Sequence, residues 1–172
     1  TNNLRSVLHK ILTSLVSKII ILFFSFFSAQ AFSEDLRIKI NSGQVEPLPI
    51  AIANFTSELG EESKIGMQIS TIVTNNLVGS GQFKAVECAA FIAPPTNPAV
   101  MPNFTDWTPL GIKALITGSV KSINDNEMEV EFILWDVIAE KILSGLKLSS
   151  TPKAWRKKAH MISDDIYERL SG

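Results

Sequence analysis

The sequence has little of the chemistry that enzymes and metal centres use. It contains a single cysteine, Cys88, so no disulfide can form within the chain and the fold must rest on packing. It contains two histidines, His9 and His160, and one histidine in the body of the chain is a poor basis for a metal site. We therefore predict no catalytic residue, no metal and no cofactor, and a protein that is not an enzyme.

The sequence also has no block of basic residues. Its 16 lysines and arginines balance 17 acidic residues, for a formal net charge of −1. The first 33 residues hold three of the basic residues and no acidic one, so the remainder carries −4. A mildly acidic domain of ordinary size argues against a general nucleic-acid binder.

The first 33 residues have the layout of a secretory signal. Three basic residues come early: Arg5, Lys10 and Lys18. An apolar core, 19–27, follows and gives way to small residues. Because a membrane-spanning helix needs about 20 apolar residues, the run after Lys18 is too short to span. Cleavage after Ala31 or after Ser33 fits, and we favour the second, which makes Glu34 the first residue of an exported chain. An uncleaved anchor is the alternative.

The segment after this cleavage site alternates apolar and polar residues. Leu36, Ile38 and Ile40 occupy every second position, which is the pattern of a β-strand. An extended segment of this kind can add to the edge of another protein's sheet, with main-chain hydrogen bonds for affinity and side chains for specificity. The alternative is that it forms the first strand of its own domain or lies on its surface. The candidate partner-binding residues are Glu34, Asp35, Leu36, Arg37, Ile38, Lys39, Ile40, Asn41, Ser42 and Gly43.

We divide the chain into a signal (1–33), a partner-binding strand with its linker (34–46) and a domain (47–172). In the first part of the domain the pattern predicts a strand over 49–55. A helix follows, with apolar residues at helical spacing from Ile65 to Leu77 and a stop at 79–81. The segment 83–86 is short enough for a strand. Four prolines between Phe91 and Phe104 indicate a surface loop without regular structure.

In the second part of the domain the sequence pattern predicts a short helix, a meander of three strands and a final helix. The short helix covers 106–110. The three strands cover 114–122, 128–135 and 141–149, with polar turns between them. Thr151 is the expected cap of the last helix, with Pro152 in its first turn. Its apolar face consists of Trp155, Ala159, Ile162, Ile166 and Leu170. Asp165 is spaced to pair with Arg169.

These elements predict an α+β fold, an α/β-like two-layer sandwich. We expect a mixed sheet of about five strands, two main helices on one face and a C-terminal antiparallel meander. Two other functional classes stay open. One is a small hydrolase that pairs Cys88 with His160, and the other is a ligand-binding or accessory domain with a deep apolar pocket. A basic patch at the start of the last helix is either a solvated face or a contact for an acidic partner: Lys153, Arg156, Lys157 and Lys158.

Several motifs follow one another along the chain: 36–43 after the signal, 79–83, 107–120, and finally His160 and 163–172. Their order and spacing resemble the TolB family of periplasmic proteins in the Tol–Pal envelope system. The resemblance covers essentially the whole chain after residue 33. The proline-rich loop matches poorly, and the family usually has an acidic residue where Asn41 stands.

The resemblance implies a function for this chain. It implies the signal and N-terminal domain of a non-catalytic periplasmic adaptor, without stable membrane insertion, that supports outer-membrane integrity and constriction at cell division. It also implies a route for bacteriocin import. In the family the N-terminal strand binds the C-terminal domain of TolA, a contact that falls here on 34–43. The lipoprotein Pal binds a β-propeller that follows this domain in the family and is absent from this sequence.

Overall fold

The computed structural model describes residues 46–57, 61–91, 97–98 and 100–172. The chain divides into two compact units, Thr1–Glu34 and Asp35–Gly172, and every described residue belongs to the second. Among the described helices, none has both the length and the apolar character needed to cross a membrane.

Five strands and two long helices build the domain. In chain order they are β1 (Leu48–Ile52), α1 (Glu61–Gly79), β2 (Phe83–Ala85), β3 (Ala114–Asn124), β4 (Glu127–Asp136), β5 (Lys141–Ser150) and α2 (Trp155–Ser171). The strands form one sheet in the order β2-β1-β3-β4-β5. The first three strands of that order are parallel, whereas β3, β4 and β5 pair antiparallel. The predicted α+β fold, with its mixed sheet and C-terminal meander, is confirmed.

Both long helices pack on the same face of the sheet. All five predicted apolar positions of α2, from Trp155 to Leu170, are buried there. Ile69, Val73 and Leu77 of α1 are buried against the same core, and Ile65 and Ile72 pack at its margin. These contacts follow from apolar residues at steps of three and four, which line one side of a helix.

The opposite face of the sheet carries a second, smaller core. Leu115 and Trp135 of the central strands pack there against Phe104 and Trp107 from the connection between β2 and β3. The rings of Phe104 and Trp135 pack edge to face, with 6.1 Å between their centroids. The indole N–H of Trp135 donates to the hydroxyl of Thr117 at 3.0 Å, which satisfies a buried donor.

The connection between β2 and β3 is therefore less of a surface loop than its prolines indicate. It contains short 3-10 turns at Cys88–Ala90, Phe104–Asp106 and Thr108–Leu110. The single short helix predicted over 106–110 is replaced by the last two of these turns. Phe104 and Trp107 anchor this part of the chain because burying two large aromatic rings stabilises it without regular structure.

The start of α2 differs from the prediction. Thr151 does not cap the helix; residues 151–154 first form a turn in which the Ala154 N–H donates to the Thr151 carbonyl at 2.9 Å. The helix begins at Trp155, and Ala154 at the N-cap position offers no side-chain cap. The sequence signal of threonine followed by proline was wrong by one turn.

Candidate functional site

The predicted partner-binding segment, 34–43, lies outside the described residues. The structure does show where the chain that follows it joins the domain. Leu48 begins β1, which is flanked by β2 on one side and β3 on the other. A segment ahead of Leu48 is thus joined to one of the inner strands of the sheet.

Backbone hydrogen bonds fix this junction on both sides. The Leu48 N–H donates to the carbonyl of Gln82 at 2.9 Å, and the carbonyl of Pro49 accepts the N–H of Lys113 at the same distance. Pro49 lies inside β1, where a proline supplies no donor for the ladder. The chain is therefore held at Leu48 and Pro49, which gives the segment ahead of them a fixed point of attachment.

Side chains from two elements meet near this junction. The Gln82 amide hydrogen-bonds the hydroxyl of Tyr167 on α2, and the rings of Phe83 and Tyr167 meet edge to face at 6.0 Å. Tyr167 is 36% exposed, so one side of this cluster faces solvent. Sequence reasoning gave these residues no role, and their place in family-like motifs was the only signal that could have found them.

His160 joins the two long helices. Its Nδ1 lies 2.9 Å from the side-chain nitrogen of Asn76 on α1, and the same nitrogen donates to the hydroxyl of Ser163 at 3.0 Å. The histidine is exposed, as expected for a polar helical position. Within the described part of the chain, no group of three or more histidine, cysteine or acidic residues is placed to hold a metal. These contacts give His160 a structural role between helices.

The basic patch lies around the beginning of α2. Lys153 belongs to the turn that precedes the helix, and Arg156 and Lys157 are exposed in its first turn. The guanidinium carbon of Arg156 lies 4.4 Å from the centre of the Trp155 ring, a cation–π contact. Part of the patch is thus occupied by a contact within the helix.

Two cavities bear on the ligand-binding alternative. One, of about 190 Å³, lies at the carboxyl ends of β1 and β2, where Asn54, Thr71, Asn75 and Glu87 contribute to its lining. The other, of about 360 Å³, lies between β5 and the end of α2 and is lined mainly by polar and charged residues. Neither has the deep apolar character that this alternative predicts.

The fold and the junction together define the class of domain that this chain forms. The chain forms an α+β domain whose mixed sheet is covered by two helices and whose candidate binding segment precedes an inner strand. The family model described as the TolB amino-terminal domain matches residues 36–143, more than half of the chain. The chain belongs to this family.

Two relatives agree with that assignment. The Tol-Pal system protein TolB of Paramagnetospirillum magneticum (strain ATCC 700264 / AMB-1) is 38% identical over 138 residues, which cover 80% of this chain and 31% of that protein. The crystal structure of TolB from Acinetobacter baumannii matches with a TM-score of 0.55 and 27% identity, covering 78% of this chain and 31% of that chain. The chain thus spans about a third of the length of these relatives.

Proposed function

We propose that this domain is a non-catalytic adaptor of the Tol–Pal system that binds the C-terminal domain of TolA through residues 34–43. The observation that carries the proposal is the family match, which begins at Leu36 and therefore includes most of the segment. The relative from Paramagnetospirillum is described as a Tol-Pal system protein, which supports the same system for this chain.

The binding mode follows from the alternation of the segment. In an extended strand, Leu36, Ile38 and Ile40 project on one side while Arg37 and Lys39 project on the other. Added to the edge of a partner sheet, the apolar side chains fill pockets and the basic ones meet acidic groups. The junction at Leu48 supports this mode because its hydrogen bonds anchor the chain to the sheet, so a segment bound to a partner stays attached to the domain.

The wider role follows from the family. The chain acts in the periplasm after removal of residues 1–33 and helps to couple TolA to the outer membrane. It contributes there to outer-membrane integrity, to constriction at cell division and to the import of bacteriocins. In the TolB family Pal binds a β-propeller, so we assign no Pal contact to this domain.

An NMR titration tests the proposal. The chain from Glu34 to Gly172, labelled with ¹⁵N, is titrated with the C-terminal domain of TolA. We expect the largest shifts within residues 34–43, with smaller ones near Leu48. Shifts that leave 34–43 unaffected would place the binding site elsewhere and would contradict the proposal.

Two matched variants separate the segment from the basic patch. Ile38→Lys places a charge among the apolar side chains and should weaken TolA binding about tenfold or more, because a desolvated apolar contact is lost. Lys157→Glu with Lys158→Glu reverses charge at the start of α2 and should leave the affinity unchanged. A loss of binding only in the second variant would assign the contact to the patch.

A further inference from the structure

The strand β5 ends the sheet on the side of the meander. Among the described residues only β4 pairs with it from Ser144 to Ser150, so its outer edge is open along that stretch. Half of the backbone donors and acceptors of an edge strand point away from the sheet, where they can pair with another strand. Exposed length of this kind is the first requirement for strand addition.

The outer part of β5 lacks the features that usually protect an edge. The register shift between β4 and β5 is confined to the region of Leu143, and pairing is regular from Ser144 to Ser150. That stretch contains no proline. Its one charged residue is Lys147, whereas protected edges carry prolines, bulges or charges that point across the edge.

Lys147 is held over its own sheet. Its ammonium lies 3.2 Å from a carboxylate oxygen of Glu129 and 3.7 Å from one of Glu131, both on the neighbouring strand. The hydrogen bond to Glu129, with the charge of Glu131, raises the pKa of Lys147 above its ordinary value. The side chain is therefore directed toward β4, and the face of β5 opposite to Lys147 carries no charge from Ser144 to Ser150.

The flank of α2 forms the second wall of a groove along this edge. The hydroxyl of Ser144 donates to the carboxylate of Asp165 at 2.7 Å, which aligns strand and helix at one point. From that point toward Ser150, a step of two residues along β5 covers about 6.6 Å. A step of four residues back along α2 covers a similar distance, about 6 Å. Leu146 is thus level with Met161, and these side chains are 38% and 39% exposed. We name this the β5–α2 groove.

One end of the β5–α2 groove is polar and carries acidic groups. A cavity of about 360 Å³ is lined there by Ser144, Asp165, Glu168, Arg169 and Gly172. The predicted pair of Asp165 with Arg169 does not form; Asp165 instead accepts from Ser144. Among the described residues, no cation lies within ion-pair distance of Asp165 or Glu168. Two carboxylates against one guanidinium favour a cationic side chain at this end.

We propose that the β5–α2 groove binds an extended segment of a partner protein as a sixth, antiparallel strand. The segment carries apolar side chains at alternate positions, which cover Leu146 and Met161, and a lysine or arginine near its carboxyl end. Antiparallel addition brings that end to Ser144, where the basic side chain reaches Asp165 and Glu168. Residues 34–43 are not part of this proposal, which does not depend on their role.

A defined peptide tests the proposal on the compact unit Asp35–Gly172. The probe is a synthetic ten-residue peptide that alternates valine with threonine and has a lysine next to its carboxyl end. Titration followed by NMR should shift the signals of 144–150 and of Met161 and Asp165. Methylating the peptide nitrogens that face β5 should weaken binding about tenfold or more, whereas methylating the alternate nitrogens should have little effect.

Variants of the protein separate the two contacts of the groove. Leu146→Lys should weaken the peptide about tenfold, because it charges the apolar centre, whereas Ile123→Lys on the exposed end of β3 is the control and should change nothing. Asp165→Asn should lower the affinity for the lysine-containing peptide about threefold. It should leave unchanged the affinity for a peptide in which threonine replaces that lysine.

Three results of the peptide experiments would overturn the proposal. They are an absence of shifts at millimolar peptide, shifts centred outside 144–150 and α2, and equal binding of both methylated peptides. Concentration-dependent shifts of 144–150 without peptide would assign the edge to a second copy of this chain and would also overturn it. Loss of TolA binding through residues 34–43 would affect none of these readouts, so the two proposals fail independently.

Discussion

Two glycines, Gly66 of α1 and Gly118 of β3, lie directly against Phe55. A Cβ atom on Gly66 would lie 2.3 Å from the carbonyl oxygen of Phe55, and one on Gly118 would lie 2.4 Å from the ring. Phe55 is 2% exposed, so its ring is enclosed by other residues of the core. Both positions require glycine because of close approach, since neither has a positive φ.

The substitution Gly118→Ala tests this contact at the residue scale. We expect a loss of about 1–3 kcal/mol in the free energy of unfolding, because an added methyl group overpacks a filled core. Urea denaturation followed by circular dichroism measures it. Gly79→Ala is the matched control, since its Cβ would meet nothing within 4 Å, and it should not destabilise the domain. Equal stability of the two variants would contradict the packing argument.

At the scale of elements, Ser70 ties the end of β1 to α1. Its hydroxyl accepts the N–H of Phe55 at 2.9 Å and lies 3.1 Å from the carbonyls of Ala53 and Gly66. Ser70 is 4% exposed, so its hydroxyl is a buried partner for the Phe55 N–H. Ser70→Ala should therefore cost about 1–3 kcal/mol, because a buried backbone donor loses its partner. Urea denaturation and faster hydrogen exchange at the Phe55 amide would show it.

Thr71→Ala is the control for this element contact. Thr71 is also a helical hydroxyl that bonds a carbonyl four residues back, that of Met67 at 2.9 Å, but it is exposed. Water can replace the lost partner, and alanine favours the helix. We expect a change within about 0.5 kcal/mol. If Ser70→Ala cost no more than Thr71→Ala, the hydroxyl would not hold β1 to α1.

The individual elements also differ in how far they could be predicted from the sequence. The apolar stripe of α2 and the strands of the meander were predictable because apolar residues repeat locally, with a period of 3.6 residues in a helix and 2 in a strand. The position of Thr151 was misjudged because a four-residue turn competes with the first turn of a helix, and both use threonine and proline. The burial of Phe104 was missed because it depends on Trp135, 31 residues later in the chain. The β5–α2 groove depends on strand order, which no local pattern encodes.

At the scale of the whole molecule, the described residues contain both cores of the sheet. The helix-side core uses residues from Leu48 to Leu170, and the smaller core uses residues from Ala51 to Val137. Every strand in the order β2-β1-β3-β4-β5 begins at or after Leu48. If residues 34–43 serve a partner, the domain should fold without them, whereas a segment that is part of this domain's own fold should contribute to its stability.

Truncation decides between these two interpretations of the segment. A chain that begins at Gln44 should differ from one that begins at Glu34 by less than about 0.5 kcal/mol in the free energy of unfolding, as expected for a surface change. TolA binding should be lost in the shorter chain, because the proposed strand is absent. Urea denaturation and the titration with TolA, made on the same two chains, give both results. A fall of more than about 2 kcal/mol would show instead that the segment packs against its own domain, because a surface segment without such contacts contributes far less. The lost binding would then have a structural cause.

Unchanged stability with retained binding would place the TolA contact on the folded domain.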